Sequence, residues 1–259
     1  MPASPFDTRG FSREEYRICG IRTVVYSIGA GAPLMYWHGR GTWHGFAWAR
    51  QLAGSFRVIL PYHPGFGESE DDLSIQSPAD YVRHYVELFD LLRLPQVALI
   101  GASFGGYLAA HFALAQPQRL SRLILASPFG LSAPEYPRPN YADVSLDDLP
   151  GWFVVDRSVV APFWPDRWTE RREREAASGQ RALSRAPADN SWADGLAALH
   201  LPALILWGRN DRLLPSGLSG LWQWALPQAQ LRIIDHAGHL LLDESAQARR
   251  VLQEYLSAS

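Results

Sequence analysis

The strongest constraint on the fold is the alternation of short apolar runs with amphipathic helical stretches. Most of the runs are apolar at nearly every position, which is typical of strands in a sheet covered by helices on both faces. The predicted strands are Arg22 to Ile28, Leu34 to Trp37, Arg57 to Leu60, Val97 to Ile100, Leu123 to Ala126, Leu204 to Trp207 and Leu231 to Ile234. The alternation predicts a largely parallel α/β sheet.

Three helices are predicted between or after these strands. They cover Pro78 to Leu92, Phe104 to Ala115 and Ser245 to Leu256. The first has Ser77 as its N-cap and a proline at its first helical position. The earliest strand, Tyr16 to Cys19, is predicted to form an antiparallel hairpin with the run that follows it, at one edge of the sheet.

Composition excludes several classes of function. The 259 residues include no lysine, so Schiff-base chemistry, pyridoxal phosphate and the lysine of a phosphate-binding loop are excluded. A net charge of −2 gives no basic surface for nucleic acid. Cys19 is the only cysteine, so no intrachain disulfide can form.

Location and assembly follow less directly from the sequence. The charged stretch Met1 to Glu15 has no apolar run, and no stretch elsewhere is long and apolar enough for a membrane span. A cytoplasmic protein that binds neither membrane nor nucleic acid is expected. The sequence does not indicate an oligomeric state.

The strand and helix alternation stops between residues 129 and 199. This segment is rich in proline, has a charged helical run from Thr169 to Glu175 and contains no convincing strand. An unstructured loop of this length is improbable inside a domain, so the segment is predicted to be an inserted helical cap. The core domain would then comprise residues 1–128 and 200–259, with the cap at 129–199.

The segment from Val97 to Gly106 predicts a catalytic nucleophile. An apolar strand leads through Gly101-Ala102-Ser103-Phe104-Gly105 into a helix, which is the pattern of a nucleophile elbow. The glycines two residues before and after the serine let the strand and helix approach closely. Ser103 is therefore the predicted nucleophile.

A serine hydroxyl needs a base and a carboxylate behind that base. Asp211 and His239 each follow a predicted strand near the end of the chain, and the order serine, aspartate, histidine is that of an elbow-type triad. Asp235 and His236 are rivals, but they lie closer to their strand and lack a preceding glycine turn. Asp211 and His239 are the predicted acid and base.

Two backbone amides are predicted to stabilise the oxyanion. The amide of Phe104 lies at the start of the helix that follows Ser103, and the amide of Arg40 lies in the loop after the third strand. His38 precedes this loop and is predicted to brace it through hydrogen bonds rather than to act in catalysis.

With these motifs the chain resembles the α/β-hydrolase fold family over nearly its whole length. The glycine-rich turn from Pro61 to Ser69 adds to the resemblance, although family members usually have aspartate where Tyr62 stands. The resemblance implies an eight-stranded, mostly parallel sheet flanked by helices, a helical cap inserted after strand 6, and no cofactor. Dehalogenases and epoxide hydrolases of this fold have an aspartate nucleophile and are disfavoured by Ser103.

The expected activity is hydrolysis of a small or medium apolar carboxylic ester through an acyl-enzyme. Carbon–carbon hydrolysis, thioester hydrolysis and acyl transfer are alternatives on the same triad. Carbon–carbon hydrolases of the fold often have tryptophan after the catalytic histidine, where Leu240 stands here, which disfavours that activity. A small-molecule receptor on a hydrolase scaffold is the alternative outside enzymes.

Specificity is assigned to aromatic side chains of the cap and of the loop after the third strand. Most are expected to pack against the body, while a few line an apolar substrate pocket. The predicted pocket residues are Trp37, Trp43, Trp152, Phe153 and Trp164.

Overall fold

Eight strands form one sheet in the order β1-β2-β4-β3-β5-β6-β7-β8. The computed structural model describes residues 6–137, 144–185 and 189–258. The strands are Ser12–Ile18 (β1), Ile21–Ile28 (β2), Ala32–Trp37 (β3), Phe56–Pro61 (β4), Val97–Ala102 (β5), Leu120–Ala126 (β6), Ala203–Gly208 (β7) and Gln230–Ile234 (β8). The predicted eight-stranded α/β sheet is confirmed.

The pairing is antiparallel at one edge and parallel elsewhere. β1 pairs with β2 and β2 with β4 in antiparallel fashion, and every other pair from β4 to β8 is parallel. Cys19 and Gly20 form the hairpin turn with φ of 49° and 82°, the left-handed conformation that a two-residue turn between twisted strands requires. Cys19 is thus a turn residue, and the prediction that it ends the strand was wrong by one position.

The helices cover both faces of the sheet. They are Pro78–Leu91 (α1), Phe104–Ala115 (α2), Pro150–Phe153 (α3), Asp166–Ala182 (α4), Ser219–Ala225 (α5), Leu241–Glu244 (α6) and Ala246–Ser257 (α7). α1 and α2 bury Tyr85, Phe89 and Phe112 in the core of one face. α7 buries Leu252 and Leu256 in that of the other.

Side-chain bonds mark where two of the predicted helices begin. Ser77 precedes α1 in an extended conformation, and its hydroxyl donates to Asp80 Oδ2 at 2.8 Å. Ser245 accepts a hydrogen bond from the amide of Ala248 at 3.1 Å, so it is the N-cap of α7 rather than its first residue.

The segment between β6 and β7 is helical where it is described. It contains α3 and α4 but no strand in the described residues, and residues 138–143 and 186–188 of the predicted cap lie outside them. The charged run predicted as a helix extends beyond both of its predicted ends. No described helix is long and apolar enough to cross a membrane.

Polar side chains on one face of α4 hold it against the body. Ser178 Oγ donates to Asp71 Oδ1 at 3.1 Å, and Arg181 forms an ion pair with the same carboxylate. Glu175, only 2% exposed, accepts hydrogen bonds from Thr42 and from the amide of Gly67. These contacts join α4 of the predicted cap to loops that follow strands of the sheet.

Candidate active site

Ser103 lies at a sharp turn between β5 and α2. Its φ of 51° and ψ of −117° place a non-glycine residue in a strained conformation. The backbone around it is fixed, since its amide donates to Ala126 O and its carbonyl accepts from Phe129 N, each at 2.9 Å. This geometry holds the Ser103 side chain at the carboxyl edge of the sheet, where it lines a cavity.

Glycines allow the turn because a side chain would strike the neighbouring backbone. A Cβ on Gly101 would lie 2.5 Å from Gly105 O and 2.7 Å from the Gly106 Cα. A Cβ on Gly105 would collide with the carbonyl oxygens of Trp37 and His38. The turn, α2 and the end of β3 therefore meet at backbone contact distance.

His239 and Asp211 form a hydrogen-bonded pair beside the same cavity. His239 Nδ1 lies 2.8 Å from Asp211 Oδ2, and the aspartate side chain has no exposed surface. Asp211 Oδ1 accepts from the amides of Leu213 and Leu214 at 3.0 and 2.9 Å. One carboxylate oxygen is thus held by the backbone while the other orients the imidazole, leaving Nε2 for a proton from a nucleophile.

The rival pair lies elsewhere. Asp235 forms an ion pair with Arg209, with both side chains 58% exposed. His236 is exposed and does not line the cavity. The structure therefore brings Ser103, Asp211 and His239 to one place and leaves their rivals at the surface.

The loop after β3 runs beside the nucleophile. Gly39 and Arg40 both line the cavity, and a Cβ on Gly39 would lie 3.2 Å from Ser103 Cβ. The Arg40 side chain turns toward the cap, where it donates to Ala176 O at 3.2 Å. The Phe104 side chain is buried in the core. The oxyanion roles of the Arg40 and Phe104 amides remain predictions.

His38 braces this loop. Its Nε2 accepts from His63 N at 3.0 Å, so Nδ1 carries the proton and donates to Gly39 O at 2.6 Å. Burial lowers the pKa of His38 to about 3, which keeps the ring neutral. His63 Nε2 in turn donates to His38 O at 2.9 Å. The predicted bracing role is confirmed.

Tyr62 fills the position where the family usually has aspartate. Its ring is fully buried and contacts Tyr26 and Phe46, with ring centroids 6.0 and 5.1 Å away. Ser69 Oγ donates to Tyr62 O at 2.9 Å and closes the glycine-rich turn. Aromatic packing thus occupies the position of the family's carboxylate.

The cavity has a volume of about 440 Å³ and walls of two kinds. Its apolar wall comprises Phe129, Leu149, Phe153, Trp168, Leu213, Leu214 and Leu240. Its polar wall contains Arg171, Glu175 and His44. The cavity is therefore lined by both apolar and charged side chains.

Two of the five predicted pocket residues line the cavity, and the other three do not. Trp43 and Phe153 are in its wall. Trp37 is buried against Tyr85, with ring centroids 3.8 Å apart, because β3 directs it into the core. Trp164 lies behind the wall against Trp43 and Trp168, and Trp152 lies under the guanidinium of Arg212.

The sequence interpretation missed the polar wall. Arg171 is 7% exposed and donates to Thr42 Oγ1 at 3.2 Å. Arg171 and Glu175 are four residues apart, so they share one face of α4. That spacing was visible in the charged run, but nothing in the sequence showed that this face is buried.

α6 connects the predicted catalytic histidine to the segment between β6 and β7. Glu244 accepts hydrogen bonds from Gly238 N and, at 2.8 Å, from Val155 N. The amide of Leu240 donates to Phe153 O at 2.9 Å. Leu240 is thus bonded directly to the segment between β6 and β7, and Gly238 is linked to it through Glu244.

Comparison with known proteins agrees with this geometry. Residues 34–253 match the model of the alpha/beta hydrolase family. The chain is 34% identical over 249 residues to 2-hydroxymuconate semialdehyde hydrolase from Pseudomonas sp. (strain CF600), covering 85% of this chain and 84% of that protein. It is 30% identical over 269 residues to 2-hydroxy-6-oxo-2,4-heptadienoate hydrolase from Pseudomonas putida, covering 92% and 94%.

Solved structures share the fold at lower sequence identity. A 2-hydroxy-6-oxo-6-phenylhexa-2,4-dienoate hydrolase from Rhodococcus sp. matches with a TM-score of 0.79 and 21% identity, over 96% of this chain and 99% of that one. Naproxen esterase from Bacillus subtilis matches with a TM-score of 0.75 and 17% identity, over 95% and 92%. At these identities the likeness concerns the fold, which serves both kinds of hydrolase.

Proposed function

Since the chain belongs to the alpha/beta hydrolase family, we propose that it is a serine hydrolase that cleaves a carbon–carbon bond in a 2-hydroxy-6-oxo-dienoate. The observation that carries this proposal is the match along most of the chain to hydrolases of such compounds. This match favours carbon–carbon hydrolysis, an alternative in the sequence analysis, over ester hydrolysis, which was the main expectation.

The chemistry of these compounds requires carbon–carbon cleavage. A 2-hydroxy-6-oxo-2,4-dienoate has a carboxylate, an enol and a ketone but no ester or amide. In its 2-oxo tautomer, the bond between carbons 5 and 6 lies beside the ketone. Breaking it leaves an electron pair conjugated through carbons 3 and 4 to the oxygen on carbon 2. That bond is therefore the one that hydrolysis would break.

Ser103, His239 and Asp211 would act in two stages. Ser103 Oγ adds to the ketone carbon while His239 Nε2 takes its proton and the loop amides hold the oxyanion. The bond between carbons 5 and 6 then breaks, the dienolate accepts the proton from His239, and the acyl group stays on Ser103. Water, deprotonated by His239, releases the acid and restores the serine.

The polar wall of the cavity supports an anionic substrate. Arg171 is buried and lines the cavity, where a guanidinium can bind a carboxylate through two hydrogen bonds. The apolar wall around Phe153 and Leu213 would hold the substituent on the ketone. This arrangement departs from the apolar ester expected from the sequence.

One observation makes ester hydrolysis a second candidate function. Leu240 follows His239 and lines the cavity where carbon–carbon hydrolases of the fold often have tryptophan. An apolar side chain at this position would suit an uncharged alcohol or acyl group.

The deciding experiment compares the two substrate classes on one enzyme. Decay of 2-hydroxy-6-oxo-2,4-heptadienoate is followed by its visible absorbance, beside p-nitrophenyl esters and thioesters of rising acyl length. We expect kcat/KM for the dienoate to exceed that for the best ester by about 100-fold or more, or about 3 kcal/mol of transition-state binding. A higher value for an ester would replace carbon–carbon cleavage with ester hydrolysis.

Ser103→Ala tests the nucleophile in the same assays. Loss of about 10⁴-fold or more in kcat is expected for every substrate that the native enzyme cleaves. Retention of full activity by this variant would rule out Ser103 as the nucleophile.

A further inference from the structure

A second histidine and carboxylate pair lies beside the catalytic cavity. His44 Nδ1 is 3.1 Å from Asp243 Oδ1, and the two side chains are 6% and 12% exposed. His44 lies four residues after Arg40 in the loop after β3, and Asp243 lies four residues after His239. The pair thus joins the loop after β3, to which the proposed mechanism gives an oxyanion amide, to α6, which begins two residues after His239.

The same imidazole also meets the backbone of the loop after β3. The carbonyl of Gly41 lies beside the His44 ring and favours its protonated form. The amide of the same peptide unit, that of Thr42, donates to Glu175 Oε2 at 3.0 Å. This peptide, two units beyond the one that carries the amide of Arg40, is held on one side by His44 and on the other by Glu175 of α4.

We infer that His44 and Asp243 are positioning residues that hold the loop carrying the Arg40 amide in register with the segment carrying His239. The inference rests on the proposed function, because it takes these two segments as the catalytic ones. It assigns the pair no contact with the reacting atoms.

The charges around His44 favour its protonated form. Burial would lower the pKa of His44, but the carboxylates of Asp243 and Glu175 outweigh burial and raise it above the ordinary value. His38 faces the ring as a neutral imidazole, while Tyr36 and Arg249 face Asp243. The charged pair is therefore present below the pKa of His44 as long as Asp243 is ionised, and it is lost as the pH rises through that pKa.

A different role for the same residue would be direct binding of an anionic substrate through the imidazolium. The two roles predict different outcomes with an uncharged reagent. A positioning pair would affect every reaction at Ser103, whereas an anion-binding residue would affect only charged substrates.

The rate at which an uncharged alkyl fluorophosphonate labels Ser103 depends on this geometry and not on the natural substrate. Ser103 Oγ bonds to phosphorus, fluoride leaves, and His239 takes the serine proton. We expect labelling to slow about tenfold to 100-fold in His44→Gln and Asp243→Asn, as displacement of a catalytic group does. The double variant should label no more slowly than either single one, because the two residues act as a unit.

Two further variants keep the test decisive. Asp243→Glu retains the charge and should recover most of the rate lost in Asp243→Asn, while His200→Gln at an exposed site should label at the native rate. The native rate should also fall at high pH through a step that is missing in His44→Gln. Melting curves identify any variant that fails to fold. If one does, the inference is judged from the labelling rates of Asp243→Glu and Asp243→Asn.

Native labelling rates in both single variants would overturn the inference, as would a loss confined to anionic substrates. Failure of the native protein to label would instead contradict the assignment of Ser103 as nucleophile. The two failures are therefore distinguishable.

Discussion

At the scale of single residues, both carboxylate oxygens of Asp211 are engaged in hydrogen bonds. One of its oxygens accepts two backbone amides and the other faces His239. An asparagine that kept the bonds from the Leu213 and Leu214 amides would present its NH₂ group, a donor, to the imidazole. The required tautomer would then lose its partner.

Asp211→Asn is accordingly expected to lower kcat by about 10³-fold to 10⁴-fold with little change in melting temperature. Asp235→Asn is the matched control, since that carboxylate follows the neighbouring strand but pairs with Arg209 at the surface. Steady-state kinetics on both variants checks the assignment. Equal losses in the two would contradict it.

The meeting of Ser103, Asp211 and His239 could be predicted from sequence because each of them follows an apolar strand within a short motif. The contacts made by residues of the polar wall could not be predicted from the sequence. His44 and Asp243 are 199 residues apart, and Glu175 meets Thr42 across 133 residues. A single sequence contains no signal for such pairings when both partners are also common surface residues.

At the scale of elements, the elbow depends on backbone approach between α2 and β3. Gly105→Ala would drive a methyl group into the carbonyls of Trp37 and His38, at the start of the loop after β3. A loss of at least ~2 kcal/mol in the free energy of unfolding is expected, together with a large loss of activity.

Gly220→Ala provides the comparison for this substitution. Gly220 lies in α5, and a methyl group there would have no neighbouring side chain or other segment within 4 Å. Alanine at this position should therefore be neutral or stabilise by up to ~1 kcal/mol. Denaturant unfolding of both variants measures the difference. Equal stabilities would show that the close approach at Gly105 is not needed.

α4 shows why the cap was only partly predictable. Its sequence is strongly polar, and only the charged run over 169–175 indicated a helix. The structure extends it to 166–182 because a polar stripe on one face finds polar partners on the body. The pattern of apolar residues does not reveal a helix face that packs against the protein through hydrogen bonds.

Glu175→Ala tests this attachment. It removes the acceptor for the amides of Thr42 and Gly67, and each unsatisfied buried group costs about 1–3 kcal/mol. We expect a lower melting temperature and a higher KM, because the cap helix forms one wall of the cavity. Glu173→Ala, at an exposed position of the same helix, should change neither quantity.

At the scale of the whole molecule, buried histidines couple stability to pH. Burial lowers the pKa of His38 to about 3 and that of His84 and His111 to about 4, and it lowers that of His63 well below the ordinary value. The unfolded chain binds these protons near pH 6.5, while the folded protein binds them only under more acidic conditions. Between these limits the unfolded state holds more protons, so stability falls as the pH falls.

Calorimetric unfolding at pH 7 and pH 5 should therefore show a clear drop in stability. Each such histidine contributes up to about 1.4 kcal/mol per pH unit. His111→Phe should reduce the drop, since it keeps the stacking on Trp192 and cannot be protonated. His200→Gln at the surface should leave it unchanged, and an identical drop in His111→Phe would exclude His111 as a contributor.

The hydrogen bonds on both sides of His239 have a consequence for remodelling the enzyme. Glu244 and the amide of Leu240 attach the histidine loop directly to the segment around Phe153. Replacing this segment with that of a relative would therefore alter the anchorage of His239, the proposed general base, as well as the shape of the cavity. A chimera that exchanges 129–199 alone should lose turnover even on substrates that fit, and one that also carries 238–244 from the donor should regain it.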